Sequence, residues 1–339
     1  MKRTTITATI LAATLPSIMV TTASADDVNV YSYRQPELIQ PLMDAFSAQT
    51  GHNVNVAFLQ KGMIERLQAE GKRSPADLIL TTDISRLAGV VDAGLTQPVQ
   101  SDTLKANIPA QYRDTDDQWF GLTSRARIVY ASKDRVNEGD VTTYEDLADP
   151  KWKGRICTRS GTHAYTLAMV AAYLKHHGPE ATTTWLEGVK ANLARKPQGN
   201  DRAQVKAIWA GECDIAIGNT YYMGKMLSND EQKAWANSVN VVFPTFENSG
   251  THVNVSGMAL TKYAPNKEAA IALMEFLASP KAQEIYAATN FEYPIAPGTQ
   301  ADPLVQSWGS FVADDLNLME VAAERPAALK LIEEIDFDG

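Results

Sequence analysis

Residues 28–94 read VNVYSYRQPELIQPLMDAFSAQTGHNVNVAFLQKGMIERLQAEGKRSPADLILTTDISRLAGVVDAG. Val28-Asn29-Val30-Tyr31 predicts a buried strand, and Leu38, Leu42, Ala45 and Phe46 then recur at helical spacing until Gly51 stops the helix. Val54-Asn55-Val56 alternates as a second strand, followed by a helix with Met63 and Leu67 one turn apart. Asp77-Leu78-Ile79-Leu80 is a third strand, and residues 83–93 a third helix ending at Gly94. Such β-α-β-α-β-α alternation predicts a parallel sheet with helices on both faces.

A second run of the same kind follows. Ile128-Val129-Tyr130 and Lys153-Gly154-Arg155-Ile156-Cys157 predict strands, and helices are expected over 163–176 and 180–193. A helix over 202–210 leads into the strand Cys213-Asp214-Ile215-Ala216-Ile217, and Val239-Asn240-Val241-Val242-Phe243 is another strand. After Val255-Ser256-Gly257-Met258-Ala259-Leu260, the positions Ala270, Leu273, Met274 and Leu277 mark an amphipathic helix ended by Ser279-Pro280, and polar loops with one or two helices close the chain. Two α/β units of similar size predict a cleft, with ligands at the carboxyl ends of strands.

Composition narrows the function. The chain has 339 residues, 31 basic and 40 acidic, for a formal charge of −9. That balance argues against nucleic acid, which needs clustered Lys and Arg. Lys2 and Arg3 precede a largely apolar run at 6–20 and then Ala23-Ser24-Ala25, the pattern of a secretory signal with an A-x-A cleavage site. Cleavage after Ala25 removes two basic groups, leaving 29 basic against 40 acidic, or −11, on 314 residues. No cysteine follows the apolar run to carry a lipid, and no later stretch reaches the roughly 18 apolar residues of a membrane helix. A freely soluble exported protein without a membrane anchor is expected. In an oxidising compartment the even count favours pairing of Cys157 with Cys213, the alternative being two buried thiols in neighbouring strands.

The signatures of nucleotide, α/β-hydrolase and zinc-protease chemistry are absent, and the five histidines show no metal-ligand spacing. Three loops after strands stand out: Ser32-Tyr33-Arg34-Gln35-Pro36, Arg159-Ser160-Gly161-Thr162-His163-Ala164-Tyr165, and Gly218-Asn219-Thr220-Tyr221-Tyr222. Alone, a tyrosine pair is ordinary amphipathic packing. With Tyr165 in the equivalent position after another strand, and Thr162 beside it as a donor, the three phenols suggest a hard cation. A free phenol titrates near 10, so only a strongly polarising ion such as Fe(III) displaces its proton at neutral pH. Softer ions would ask for Cys or His, and Ca or Mg for carboxylates and carbonyls. Three phenolates cancel a +3 charge and leave room for a small anion, for which Arg34 and Arg125 are the candidate partners.

The stretches VNVYSYRQP, SPADLILTTD, GLTSRARIVYASKD, TYEDLADPKWKGRICTRSG and GECDIAIGNTYYMGKM together resemble the periplasmic ferric-iron-binding proteins of bacterial ABC transporters, over essentially the whole mature chain. The resemblance implies an α/β, two-lobed type II periplasmic-binding-protein fold, each lobe a mixed, mostly parallel sheet flanked by helices. Its expected boundaries are 26–124 plus 254–300 for the N-terminal lobe and 125–253 for the C-terminal lobe, with 301–339 as C-terminal helices packing on them. It implies a monomeric, non-enzymatic receptor that closes on one Fe(III) and delivers it to an inner-membrane permease and its ATPase. Tyr221 and Tyr222 match the family's paired ligands and Tyr165 a further one in its tyrosine-rich subgroup. Tyr33 is a competing fourth phenolate. Arg34, Gln35 and Arg125 would meet a synergistic carbonate or bicarbonate, with Thr162 and Asn219 nearby. Other members place a His in the first loop and a Glu after the third strand; here those places hold Tyr33-Arg34-Gln35 and Thr81-Thr82-Asp83. The resemblance also supports the cysteine pairing. Rival readings are a receptor of the same fold for a polyamine, thiamine or organic anion, and an exported hydrolase.

Overall fold

The computed structural model describes residues 27–339, so the secretory segment read at 1–25 lies outside the described residues. The opening alternation has the expected order: β1 (Val28–Ser32), α1 (Pro36–Thr50), β2 (Val54–Phe58), α2 (Met63–Glu70), β3 (Leu78–Thr81) and α3 (Ile84–Asp92). Pro36 starts α1, where a missing N–H costs nothing, and Gly51 ends it in the left-handed region at φ 81°. Asp83 caps α3 by accepting the Ser85 N–H. Then come α4 (Asp102–Asn107), β4 (Phe120–Ser132), β5 (Ile156–Cys157), α5 (Ala164–Ala191), α6 (Asp201–Trp209), β6 (Ile215–Asn219), α7 (Thr220–Leu227), α8 (Lys233–Asn237) and β7 (Val239–Val242). The chain closes with β8 (Val253–Leu260), α9 (Lys267–Ala278), α10 (Pro280–Asn290), β9 (Tyr293–Pro294), α11 (Pro303–Gln306), α12 (Leu318–Ala323) and α13 (Arg325–Glu334).

The strands form one mixed sheet in the order β2-β1-β3-β8-β4-β6-β5, with β7 and β9 also paired to β4. β1 is parallel to β2 and β3, and β5 is parallel to β6, whereas every pairing made by β4 is antiparallel. The 13 residues of β4 are all buried. Its first half pairs with β8 and its second with β6 and β7, so this strand runs from one half of the molecule into the other. Only Ile128-Val129-Tyr130 was expected as strand, because Thr123, Arg125 and Arg127 are polar yet buried and break the apolar pattern.

The two helices expected over 163–176 and 180–193 are the two arms of α5, which breaks at Gly178 (φ 78°, ψ 172°) ahead of Pro179. The strand expected to begin at Cys213 begins at Ile215, and the one expected from Lys153 is reduced to Ile156–Cys157. Cys157 and Cys213 are disulfide-bonded, with Cα atoms 5.9 Å apart, beside the β5/β6 pairing.

Two main cores result. One gathers Val30, Leu42, Phe46, Leu78, Leu260, Leu273 and Leu277. The other gathers Val129, Tyr144, Trp152, Val170, Trp185, Ile217 and Phe246, and takes Ile332 and Phe337 from the C-terminal segment. In α12, Leu318 packs with Ile84 and Leu87 of α3 while Val321 joins the second core. Burying each such side chain contributes roughly 1.5–3 kcal/mol.

Candidate metal centre

Tyr221 and Tyr222 lie in the first turn of α7, not in a loop ahead of it as the sequence suggested, and Tyr165 lies in the first turn of α5. Both helices therefore aim their N-terminal ends at the phenols, where the peptide dipoles favour negative charge by about 0.3–1 kcal/mol per helix. α5 is capped by His163, whose Nδ1 accepts the Tyr165 N–H at 3.1 Å and whose ring stands edge-on to Tyr165. Asn219 precedes α7 but does not cap it. Its side chain accepts from Arg127 Nη1 at 3.1 Å, and its N–H donates to Asp201 at 2.8 Å.

The Tyr221 hydroxyl donates to the Tyr165 oxygen at 3.2 Å, and the Tyr221 and Tyr222 rings are 4.3 Å apart. Two oxygens at right angles around an ion with metal–oxygen bonds of about 2.0–2.2 Å sit about 3 Å apart, so this pair fits one small cation. Burial pushes the Tyr221 phenol well above its ordinary value of 10, and Tyr165 and Tyr222 add to the effect. Burial, then the Asp201 carboxylate, raises Tyr222 as well. Among the described residues no group of three His, Cys, Asp or Glu is placed to hold a metal. The oxygen donors here are phenols.

Guanidinium groups surround them. Arg159 and Arg125 lie 5.3 and 5.9 Å from the centre of the Tyr165 ring, and Arg202 lies 5.7 Å from that of Tyr222. Asp201, fully buried, holds Arg127 at 2.9 Å and Arg159 at 2.8 Å. Arg34 donates from Nη2 to Ser256 and to Glu292, each at 2.7 Å. Burial would raise the Glu292 carboxyl, but Arg34 and Arg125 more than offset it and hold it below the ordinary value. Arg125 donates from Nη1 to Ser256 at 3.2 Å and from Nη2 to the Thr82 carbonyl.

The structure thus brings together Tyr165, Tyr221, Tyr222, Arg125 and Asn219, with Arg34 alongside. It sets the others apart. Tyr33 accepts the Met63 N–H at 3.3 Å and lies under Arg86, 4.3 Å from its ring centre. Gln35 is exposed at the start of α1, and exposed Thr162 bonds Ser160. Arg127, Arg159, Asp201, Glu292 and His163 were not singled out as site residues. The period-two spacing of Arg125 and Arg127 on a strand was the available signal for one of them.

The pattern of the bacterial extracellular solute-binding protein family matches residues 32–284. Iron uptake protein A1 of Synechocystis is 42% identical over 317 residues, which cover 93% of this chain and 88% of that protein. Among solved structures, the open ferric iron-binding protein A of Mannheimia haemolytica is 50% identical with a TM-score of 0.90, covering 93% of this chain and 100% of that one. A Trichodesmium protein in complex with iron and citrate is 40% identical with a TM-score of 0.88, covering 92% and 99%. The chain belongs to the bacterial extracellular solute-binding proteins, in the group formed by the ferric iron-binding proteins.

Proposed function

We propose that this protein is the exported receptor of an iron importer and binds one Fe(III) through the phenolates of Tyr165, Tyr221 and Tyr222. The observation that carries the reading is the 3.2 Å approach of the Tyr165 and Tyr221 oxygens, with the Tyr222 ring tilted against that of Tyr221, in the first turns of two helices. Iron is named for all three relatives described above. Carbonate or bicarbonate completes the coordination, balanced by Arg125 and, on closure, by Arg34 and Gln35. The lobes are 26–124 plus 254–300 and 125–253, and residues 301–339 pack across them. Closure follows from contacts that the loaded ion makes only in the closed state. The loaded monomer is read by an inner-membrane permease with its ATPase, and no chemistry is performed on the cargo beyond binding and release. Among the described residues no helix is long and apolar enough to cross a membrane, in keeping with a periplasmic receptor cleaved after about Ala25.

The test is a titration of iron-free protein with a ferric chelate. A visible phenolate-to-iron charge-transfer band is expected, and it disappears in the Tyr221→Phe/Tyr222→Phe double variant. A colourless wild type, or full colour in the double variant, overturns the ligand set. Calorimetric binding of a polyamine, thiamine or organic anion without metal would return the same-fold rival, and turnover of esters or phosphates the hydrolase.

A further inference from the structure

The loop that brings Tyr165 to its place has little support from its own strand. Residues 158–163 run from β5, only two residues long, to the cap of α5, and a carboxylate from the far end of the chain reaches into them. Asp338 Oδ1 accepts the Gly161 N–H at 2.7 Å, and Oδ2 accepts the Ser160 hydroxyl. Ser160 gives its one hydroxyl proton to Asp338, so the Thr162 hydroxyl, 2.9 Å away, is the donor of that pair, and the Thr162 N–H also donates to Ser160 Oγ at 3.2 Å. The Ser160 carbonyl accepts the His163 N–H at 3.2 Å, and His163 in turn takes the Tyr165 N–H. The path from Asp338 to Tyr165 runs through Ser160 and His163.

The support behind Asp338 is packed and independently held. Gly161 is buried, and a Cβ added there would fall 2.9 Å from both Ile332 Cγ2 and Phe337 Cδ1, so the loop backbone lies directly against these two buried side chains. Asp336 turns the chain back in the left-handed region at φ 50°, and the Phe337 N–H donates to the Ile332 carbonyl at 3.0 Å. Lys190, on the second arm of α5, donates to the Ile335 carbonyl at 2.8 Å and to the Asp336 carbonyl, and Lys196 donates to the Gly339 carbonyl at 2.9 Å. None of these contacts uses the Asp338 side chain. Its loss therefore frees the loop and leaves the C-terminal segment in place.

We infer that Asp338 is a positioning residue for the metal centre: by accepting Ser160 and Gly161 it fixes the start of α5, and with it the Tyr165 oxygen, before iron arrives. The inference rests on the assignment of Tyr165 as a ligand. A metal site needs its donors held within about 0.5 Å, and donors ordered in advance lose no further freedom on binding. Asp338 acts through the loop and is not itself a ligand.

Asp338→Ala, Asp338→Asn and Ser160→Ala in the full chain test this. In the iron-free protein, amide exchange over 161–165 should quicken by about 10-fold in Asp338→Ala, with exchange in β4 and β6 unchanged. In competition with a ferric chelator the same variant should lose about 10-fold in affinity, the low end for an outer partner, and its charge-transfer band should move. Asp338→Asn keeps an acceptor oxygen for the Gly161 N–H and should recover most of both effects; it also serves where the alanine variant does not fold. Ser160→Ala combined with Asp338→Ala should cost less affinity than the sum of the two single changes. All are measured well below Tm, so a lower Tm alone moves neither affinity nor band. Unchanged loop exchange and affinity, or additive losses from Ser160 and Asp338, overturn the assignment and leave Asp338 a stabilising contact of the C-terminal segment. A colourless wild type overturns the ligand set instead, and the exchange result, read without iron, still decides whether Asp338 fixes the loop.

Discussion

The phenol oxygens of Tyr165 and Tyr221 lie 3.2 Å apart although 56 residues separate them, one at the start of α5 and the other at the start of α7. Neither helix could bring a second phenolate to the other without the β5/β6 pairing that sets their starts side by side. Single Tyr165→Phe and Tyr221→Phe variants remove one oxygen and almost no volume. Each should keep the Tm of the wild type within a few degrees yet lower ferric affinity by more than the roughly 10–100-fold that loss of an outer partner costs. Competition against a ferric chelator, with the charge-transfer band as readout, measures it. Unchanged affinity in both variants would remove the pair from the metal site.

The same phenols set the direction of a pH effect. Burial raises Tyr221 well above 10 and raises Tyr222, so both carry protons in the iron-free protein at neutral pH. Ligation must expel those protons, and affinity therefore rises with pH. Two protons released correspond to about a 100-fold gain per pH unit. Chelator competition between pH 6 and 8, corrected for the chelator's own titration, should show at least this slope. A flat profile would mean that other oxygens hold the ion.

Much of this was readable before any coordinates. The β1 to α3 alternation is explicit because each strand is short, with apolar residues at alternate positions in β1 and β2 and in succession in β3, and α1 has a clear stop at Gly51. Tyr221 and Tyr222 could be singled out because a doubled aromatic follows a strand. Arg159, Asp201 and Glu292 carried no such mark. Their roles depend on partners far away in the chain, such as Arg34 to Glu292, which local spacing does not encode. β4 was only partly legible for the same reason: its buried arginines are paid for by Asp201 and Asp83, not by an apolar pattern. The placement of Tyr33 against Met63 and Arg86 was equally hidden, since its neighbours come from two later helices.

Gly224 is the place where α7 meets the turn after α10. A Cβ built there would fall 2.2 Å from Phe291 Cγ, and Phe291 itself sits in the left-handed region at φ 58°. One residue on, Lys225 Nζ donates to the Thr289 carbonyl at 2.9 Å, so the contact is held by more than one group. Gly224→Ala should destabilise by about 1–3 kcal/mol through overpacking. It should also speed iron release, because Phe291 precedes the Glu292 that anchors Arg34. Adding Phe291→Ala removes the clashing ring, and the double variant should cost less than the sum of the two single changes. Additive losses in urea unfolding would show that the two residues do not press on each other.

His252 makes the fold sensitive to acid. It is 4% exposed, and burial, then Arg127, lowers it to about 3 from an ordinary value of 6.5. The unfolded chain takes up this proton near pH 6.5 and the folded one only near 3, so stability from this group is full above 6.5 and declines as pH falls toward 3. At pH 5 the loss is about 2 kcal/mol. His163, lowered to about 4 by burial and then by Arg159, acts in the same direction but is less enclosed. Urea unfolding of wild type and His252→Gln at pH 7 and pH 5, at fixed chloride, separates the contribution. Whatever the glutamine costs at neutral pH, the variant should lose less stability than the wild type on going to pH 5. An equal loss in both proteins would mean that His252 takes its proton in the folded state as readily as in the unfolded one.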